Sequence, residues 1–253
     1  MRIPKFWARA THDGFEAPGW SFTSLSEARQ VAEQRAVLLA EVITKQREPE
    51  GRYLYGDRPV REPVIETLGD ATRPEALVTR NGYGALCLNT EDVAFVDVDD
   101  NGAPDEALDR IRRAYASQRR WALKIYRTRA GYRVVAVHAR LGPASGEAAE
   151  LFDVLGADPL YRKLCAAQES FRARLTPKPW RIGVGRIPGQ FPWRDDSVER
   201  AVHRWVGEYD AAGRGFAVCE VVDTLGHVSL DPVIDRVLRF HDTRVLGSGK
   251  PLA

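Results

Sequence analysis

Apolar positions recur at helical or strand spacing along most of the chain. The segment SLSEARQVAEQRAVLLAEVITKQ opens on Ser24 with Glu27 three residues later, a capping-box pattern. Leu25, Ala28, Ala32, Leu39 and Val42 follow as an apolar stripe, which predicts a helix from about Leu25 to Lys45. GRYLYGDRPVREP is turn-rich, and ALVTRNGYGALCL predicts a hairpin around Asn81-Gly82. VAFVDVDDNG is an apolar strand that ends in acids. In APDEALDRIRRAYASQ, Pro104 and two acids mark a helix start, and Leu108, Ile111 and Tyr115 line one face. WALKIYRTRAGYRVVAVHA reads as two strands with Arg129-Ala130-Gly131 at the turn. SGEAAELFDVLG is a short helix. Asp158-Pro159 starts another, with Leu160, Leu164, Ala167, Phe171 and Leu175 as its stripe. Proline and glycine interrupt the chain from Thr176 to Pro192. A helix follows from about Ser197 to Tyr209, then a strand in GFAVCEVVD, a short partner strand in HVSL, and a last helix opened by Asp231-Pro232.

From Val93 the order is strand, helix, strand, strand, helices, strand, helix. This predicts an α+β class: a ferredoxin-like or RRM-like antiparallel sheet with helices on one face and the other face open as the working surface. Residues 1–90 read as an N-terminal α/β accessory layer and residues 91–253 as the core. No flexible linker divides them, so one compact body is expected.

The 253 residues, 44% of them hydrophobic, contain no apolar run long enough to span a membrane. The first residues lack a charged-then-apolar leader pattern. Cys87, Cys165 and Cys219 are far apart with no CxxC pair, which argues against a zinc ribbon or a disulfide framework. A cytoplasmic setting with no membrane partner is the expectation. Net charge is only +2, but its distribution is uneven. Ten Lys or Arg and no acid fall between Arg110 and Arg140, and the window from Arg172 to Arg194 is likewise free of acids. Each window forms either a basic surface for a polyanion or an ordinary solvated face.

Asp97 and Asp99, at i and i+2 of a strand, point to one face. Same-face carboxylates repel unless a cation lies between them, so a divalent metal is one reading. Asp-Asp-Asn-Gly is also strong turn chemistry, and a turn is the other. Asp100 points the opposite way and suits a turn or cap. The hairpin adds Arg127, Arg129, Arg133 and His138, and a late strand ends in Asp223. Carboxylates for a cation and fixed cations for phosphates are the requirements of a metal-bound triphosphate.

VAFVDVDD, a helix and then ALKIYRTRAGYRVVAVH resemble the core of archaeo-eukaryotic primases and primase-polymerases, and are most similar in layout to the polymerase domain of bacterial end-joining ligases. The resemblance covers roughly Asp92 to His138, with an echo near Asp223. It implies a metal-dependent nucleotidyltransferase acting on nucleoside triphosphates and nucleic acid. Asp97, Asp99 and Asp223 would hold Mg²⁺ or Mn²⁺ and be catalytic. Thr128 and Gly131 match the family hairpin, and Arg127, Arg129 and Arg133 would hold the triphosphate. Arg133 stands where the family has histidine. It binds phosphate bidentately but shuttles no proton.

ESFRARLTPKPWRIGVGR alternates cations with aromatics. Arg172, Arg174, Lys178, Trp180 and Arg181 suit single-stranded DNA or RNA by stacking and phosphate contact. The competing reading packs Phe171 and Trp180 and leaves the arginines solvated or ion-paired. GVGRIPG lacks the helix and the Lys-Ser/Thr pair of a phosphate loop. His12, His203, His227 and His241 show no ligand spacing and read as caps or surface residues. Two alternatives to the nucleotidyltransferase stand: a non-catalytic nucleic-acid-binding relative, and a haloacid dehalogenase-like phosphotransferase using DVDD, which requires a parallel sheet.

Overall fold

The computed structural model describes residues 1–44, 60–70, 72–228 and 231–253. GRYLYGDRPVREP falls largely outside them, as do Ser229 and Leu230 of the expected HVSL strand. Among the described residues, no helix is long and apolar enough to cross a membrane.

The chain is α+β, with antiparallel sheets and six α-helices. A hairpin of β1 (Phe6–His12) and β2 (Phe15–Ser21) carries α1 (Leu25–Thr44). The buried stripe of α1 is Ala28, Ala32, Ala36 and Ala40, while Leu25 and Leu39 of the expected stripe are exposed. Small residues win that face because the hairpin backbone lies against the helix. A Cβ added at Gly19 would stand 2.2 Å from the Ala32 nitrogen.

A second sheet has the order β3 (Val64–Gly69), β4 (Pro74–Arg80), β5 (Leu86–Thr90) and β9 (Phe171–Arg174). Because β5 pairs with β9, the expected boundary near residue 90 falls within a sheet. The expected helix through Leu175 stops instead at Gln168, with Glu169 in the left-handed region at φ 49°. Beyond it Phe171 and Ala173 are buried on alternate positions against β5, so strand pairing overrides the helical stripe.

The third sheet has the order β10 (Cys219–Leu225), β7 (Leu123–Thr128), β8 (Gly131–Ala136) and β6 (Phe95–Asp99). The strands β6, β8 and β7 with α2 (Pro104–Ser117) form the expected split βαβ unit. The fourth strand, β10, pairs with β7 instead of β6, so β6 is a sheet edge and not the central strand of a ferredoxin-like order. That edge meets β9. The Tyr161 hydroxyl lies 2.7 Å from the Phe95 carbonyl and 2.9 Å from that of Arg172, spanning the two sheets. Tyr161 belongs to α4 (Pro159–Gln168), which follows α3 (Gly146–Leu155). Ser145 caps α3 and Asp158 caps α4.

Two further helices complete the body, α5 (Asp196–Gly213) and α6 (Pro232–Val245). The face of the third sheet that carries Asp97 was expected to be open. It is partly covered by α6, whose His241 ring packs at 5.1 Å on both Phe95 and Tyr126. One apolar core joins the two large sheets with α2, α3 and α6.

Candidate functional site

The uncovered end of that face lies at the tip of β6. Strand alternation puts Asp97 and Asp99 on the side shared with Arg133, Gly131, Tyr126 and Thr128. Asp97 is 45% exposed and Asp99 is exposed. Asp100 takes the other side. It accepts from the Gly102 nitrogen at 3.1 Å and from Arg127 at 2.8 Å, closing the Asn101-Gly102 turn, where both residues have positive φ. Asp99 is held above the ordinary carboxylate pKa, first by partial burial and then by Asp158, Asp97 and Asp100 nearby.

Arg133 is 1% exposed, and its guanidinium is bonded through Nε and Nη1. Nε donates to Asp97 Oδ1 at 3.2 Å. Nη1 donates to the Arg174 carbonyl at 2.9 Å and reaches His241 Nε2 at 3.1 Å. Since that contact makes Nε2 an acceptor, the His241 proton sits on Nδ1, which donates to Asp242 Oδ1 at 2.9 Å. Tyr126 and Lys124 each bond Asp242 at 2.6 Å. A buried chain therefore runs Asp242–His241–Arg133–Asp97 and fixes one oxygen of Asp97. Burial, first, and the Arg133 charge hold the His241 pKa down to about 4.

Across the site stands the loop that leaves β9. Tyr209 of α5 anchors its root, bonding Thr176 Oγ1 at 2.7 Å and the Pro177 carbonyl at 2.6 Å, while Thr176 Oγ1 accepts from the Leu86 nitrogen. Trp205 stacks on Tyr209 at 5.0 Å and donates to the Gly185 carbonyl. Gly84 is required beneath it, with φ 99° and a would-be Cβ 2.2 Å from the Trp205 ring. Pro179–Arg181 then forms a single 3₁₀ turn that presents Lys178, Trp180 and Arg181.

These cations crowd one another. The Lys178 pKa is lowered by burial and by Arg174 and Arg181, with Asp97 and Asp99 opposing. That of Arg181 is lowered by burial and by Arg174 and Arg129. Arg174 Nε is buried with no hydrogen-bond partner among the described residues. Like charges gather here on both sides, acids at the β6 tip and cations on the loop, and neither group neutralises the other through a direct bond among the described residues. Such unrelieved charge is a feature of ligand sites.

The structure thus brings together Asp97, Asp99, Thr128, Arg129, Arg174, Lys178, Trp180 and Arg181. Five expected site residues stand elsewhere or do other work. Asp223 lies on β10, across three strand spacings from β6 or about 14 Å, and its carboxylate pairs with Arg112 of α2 at 3.3 Å. It cannot share a metal with Asp97. Arg133 is spent internally, as above. Arg127 is on the opposite face, held by Asp100 and by the Gly131 carbonyl at 2.8 Å. Gly131 has a packing role, because a Cβ there would meet the Val98 carbonyl at 2.2 Å. Arg172 is locked to Glu62 by bonds of 2.7 and 2.8 Å, leaving no fork for a phosphate. His241, read as a cap or surface residue, is fully buried. Its one signal was its place in the apolar series Val237, His241, Val245 of α6.

Among the described residues no three His, Cys, Asp or Glu side chains converge as a metal-binding group. Asp97 and Asp99 remain a two-carboxylate pair. Comparison with protein-family models, curated proteins and solved structures finds no match.

Proposed function

We propose that the protein binds a nucleoside triphosphate as its complex with a divalent cation and transfers the nucleotidyl group, in the manner of a primase-polymerase. The carrying observation is that acids at the β6 tip stand near the cations of the loop after β9 with no direct bond between the two groups among the described residues, and that Arg174 Nε is buried without a hydrogen-bond partner there. Asp97 and Asp99 would hold Mg²⁺ or Mn²⁺. The fit rests on the partial burial and, after it, the like-charge crowding that raise Asp99, and on the oxygen of Asp97 left over from its bond to Arg133. Two oxygens suit a hard cation that keeps most of its shell as water and phosphate oxygens. When bound, that ion would offset phosphate charge and polarise the phosphoryl group. Arg174, Lys178, Arg181 and Arg129 would take the polyphosphate, Arg with its planar fork and Lys as a point charge. The Arg133–His241–Asp242 chain holds Asp97 in place for this work.

A non-catalytic nucleic-acid-binding role is the second reading. The observation in its favour is the third acid, Asp223, at the far edge of the sheet. The phosphotransferase reading lacks its parallel sheet, since among the described residues β6 pairs with the antiparallel β8 alone.

The test is calorimetric titration of ATP with Mn²⁺ into wild type, Asp99→Asn and Lys178→Gln/Arg181→Gln, followed by primer extension on single-stranded DNA. Asp99 is chosen because, unlike Asp97, it does not hold the buried Arg133. Metal-dependent binding lost in both folded variants supports the site, and extension supports transfer. Binding without extension favours the second reading. No binding to wild type at millimolar ATP overturns both the site and the transfer.

A further inference from the structure

Beside the cation cluster lies a cleft of about 630 Å³ lined by Gly82, Tyr83, Pro179, Trp180, Ile187 and Gln190, among others. That size is within the range of small-molecule sites. Trp180 is 60% exposed, an unusual state for a tryptophan on a loop this firmly anchored. Tyr83 holds it edge-on at 5.3 Å, and Gln190 Nε2 bonds the Gly82 carbonyl at 2.8 Å across the cleft. Backbone bonds from Ile182 and Val184 to the Pro179 carbonyl fix the turn that carries it. The indole is therefore ordered by its surroundings and still presented to solvent.

Trp180 joins the aromatic cleft to the cation cluster, since it lines the one and lies beside Lys178 of the other. Lys178 Nζ lies 5.5 Å from the Trp180 ring centroid and feels Arg174, Arg181, Asp97 and Asp99. Arg181 feels Tyr83 as well as Arg174 and Arg129. A ligand spanning both is flat and aromatic at one end and polyanionic at the other. We infer that this cleft takes the base of the nucleotide, stacked on Trp180 and walled by Tyr83, while the phosphates lie on Arg174, Lys178 and Arg181. This rests on the proposed reading of the neighbouring cluster, and it adds a base pocket built from loops outside the strand-and-hairpin unit that suggested that reading. A tryptophan stack tolerates any base, so little discrimination among the four nucleotides is expected.

The experiment compares ATP with inorganic tripolyphosphate, each with Mn²⁺, by titration into wild type and Trp180→Ala. Tripolyphosphate offers the anion without the base. Stacking predicts that wild type prefers ATP by about 5- to 100-fold. In Trp180→Ala the ratio of the two dissociation constants should fall to within about 3-fold of one, and Trp180→Phe should retain part of the preference. The exposed position of Trp180 makes the substitution compatible with folding, checked by circular dichroism. Equal affinity of wild type for the two ligands overturns the base pocket while leaving the phosphate site standing. A preference that survives in Trp180→Ala also overturns it. Binding of a single-stranded oligonucleotide without any preference for ATP over tripolyphosphate assigns the cleft to nucleic acid instead. If neither ATP nor tripolyphosphate binds, the pocket and the underlying reading fall together.

Discussion

Lowering the pH should weaken this fold through one residue, His241. The imidazole has no exposed surface and accepts from Arg133 through Nε2, so a second proton has no room and would face a guanidinium 3.1 Å away. The groups acting on it are Asp242, Arg133 and Lys124, with the Phe95 and Tyr126 rings packed against it, and among the described residues Asp242 is the one that bonds its Nδ1. Its folded pKa is about 4 against 6.5 in the unfolded chain. Between those values the unfolded chain binds a proton that the folded chain refuses, so stability is fully present above about pH 6.5 and declines as pH falls toward 4. At about 1.4 kcal/mol per unit the loss is about 3 kcal/mol. That is a large part of a typical domain's stability. Asp242, whose folded pKa is lowered from 3.8, loses its contribution only below that value and stays outside the window. Urea unfolding of wild type and His241→Gln from pH 7.5 to 4.5 isolates the effect, because contributions common to both cancel. Gln retains an oxygen to accept from Arg133. Wild type should be the more stable at pH 7.5, and the difference should shrink steadily toward pH 4.5. Parallel profiles would refute the assignment of a neutral, Nδ1-protonated His241 and with it the relay to Asp97.

Two other outcomes follow from the same geometry. Arg172→Met leaves Glu62 buried without its cation and should cost about 3–5 kcal/mol in urea unfolding, most of it recovered in Arg172→Met/Glu62→Leu. Asp99→Asn removes a carboxylate that partial burial and three neighbouring acids destabilise, so its Tm in metal-free buffer should exceed that of wild type. An unchanged or lower Tm would count against charge crowding at the β6 tip.

Local signals carried far into this fold. Proline at the first turn and the caps Ser145, Asp158 and Asp231 mark helix starts because they act within four residues. Asp97 and Asp99 were placed on one face by alternation alone. What failed needed partners distant in the chain. Chain order does not carry strand order, so nothing near Asp223 tells that β10 pairs with β7 on the far side. Phe171 to Leu175 fits a helical stripe until β5 is there to pair with it. Read as a strand, the same segment would have put Arg172 and Arg174 on one side and buried Phe171 and Ala173 on the other. The N-terminal hairpin, with Pro18 and Gly19 in β2, offers no clear alternation of its own.

The pairing of β5 with β9 also sets a timetable. Thr90 lies opposite Phe171, so the sheet begun by the first ninety residues stays incomplete until about eighty more have been made. Emerging from a ribosome, β3 to β5 would expose an unpaired β5 edge through that interval, and the chain must close a long loop before the contact repays it. This architecture should therefore fold slowly for its size and depend on protection of that edge during synthesis.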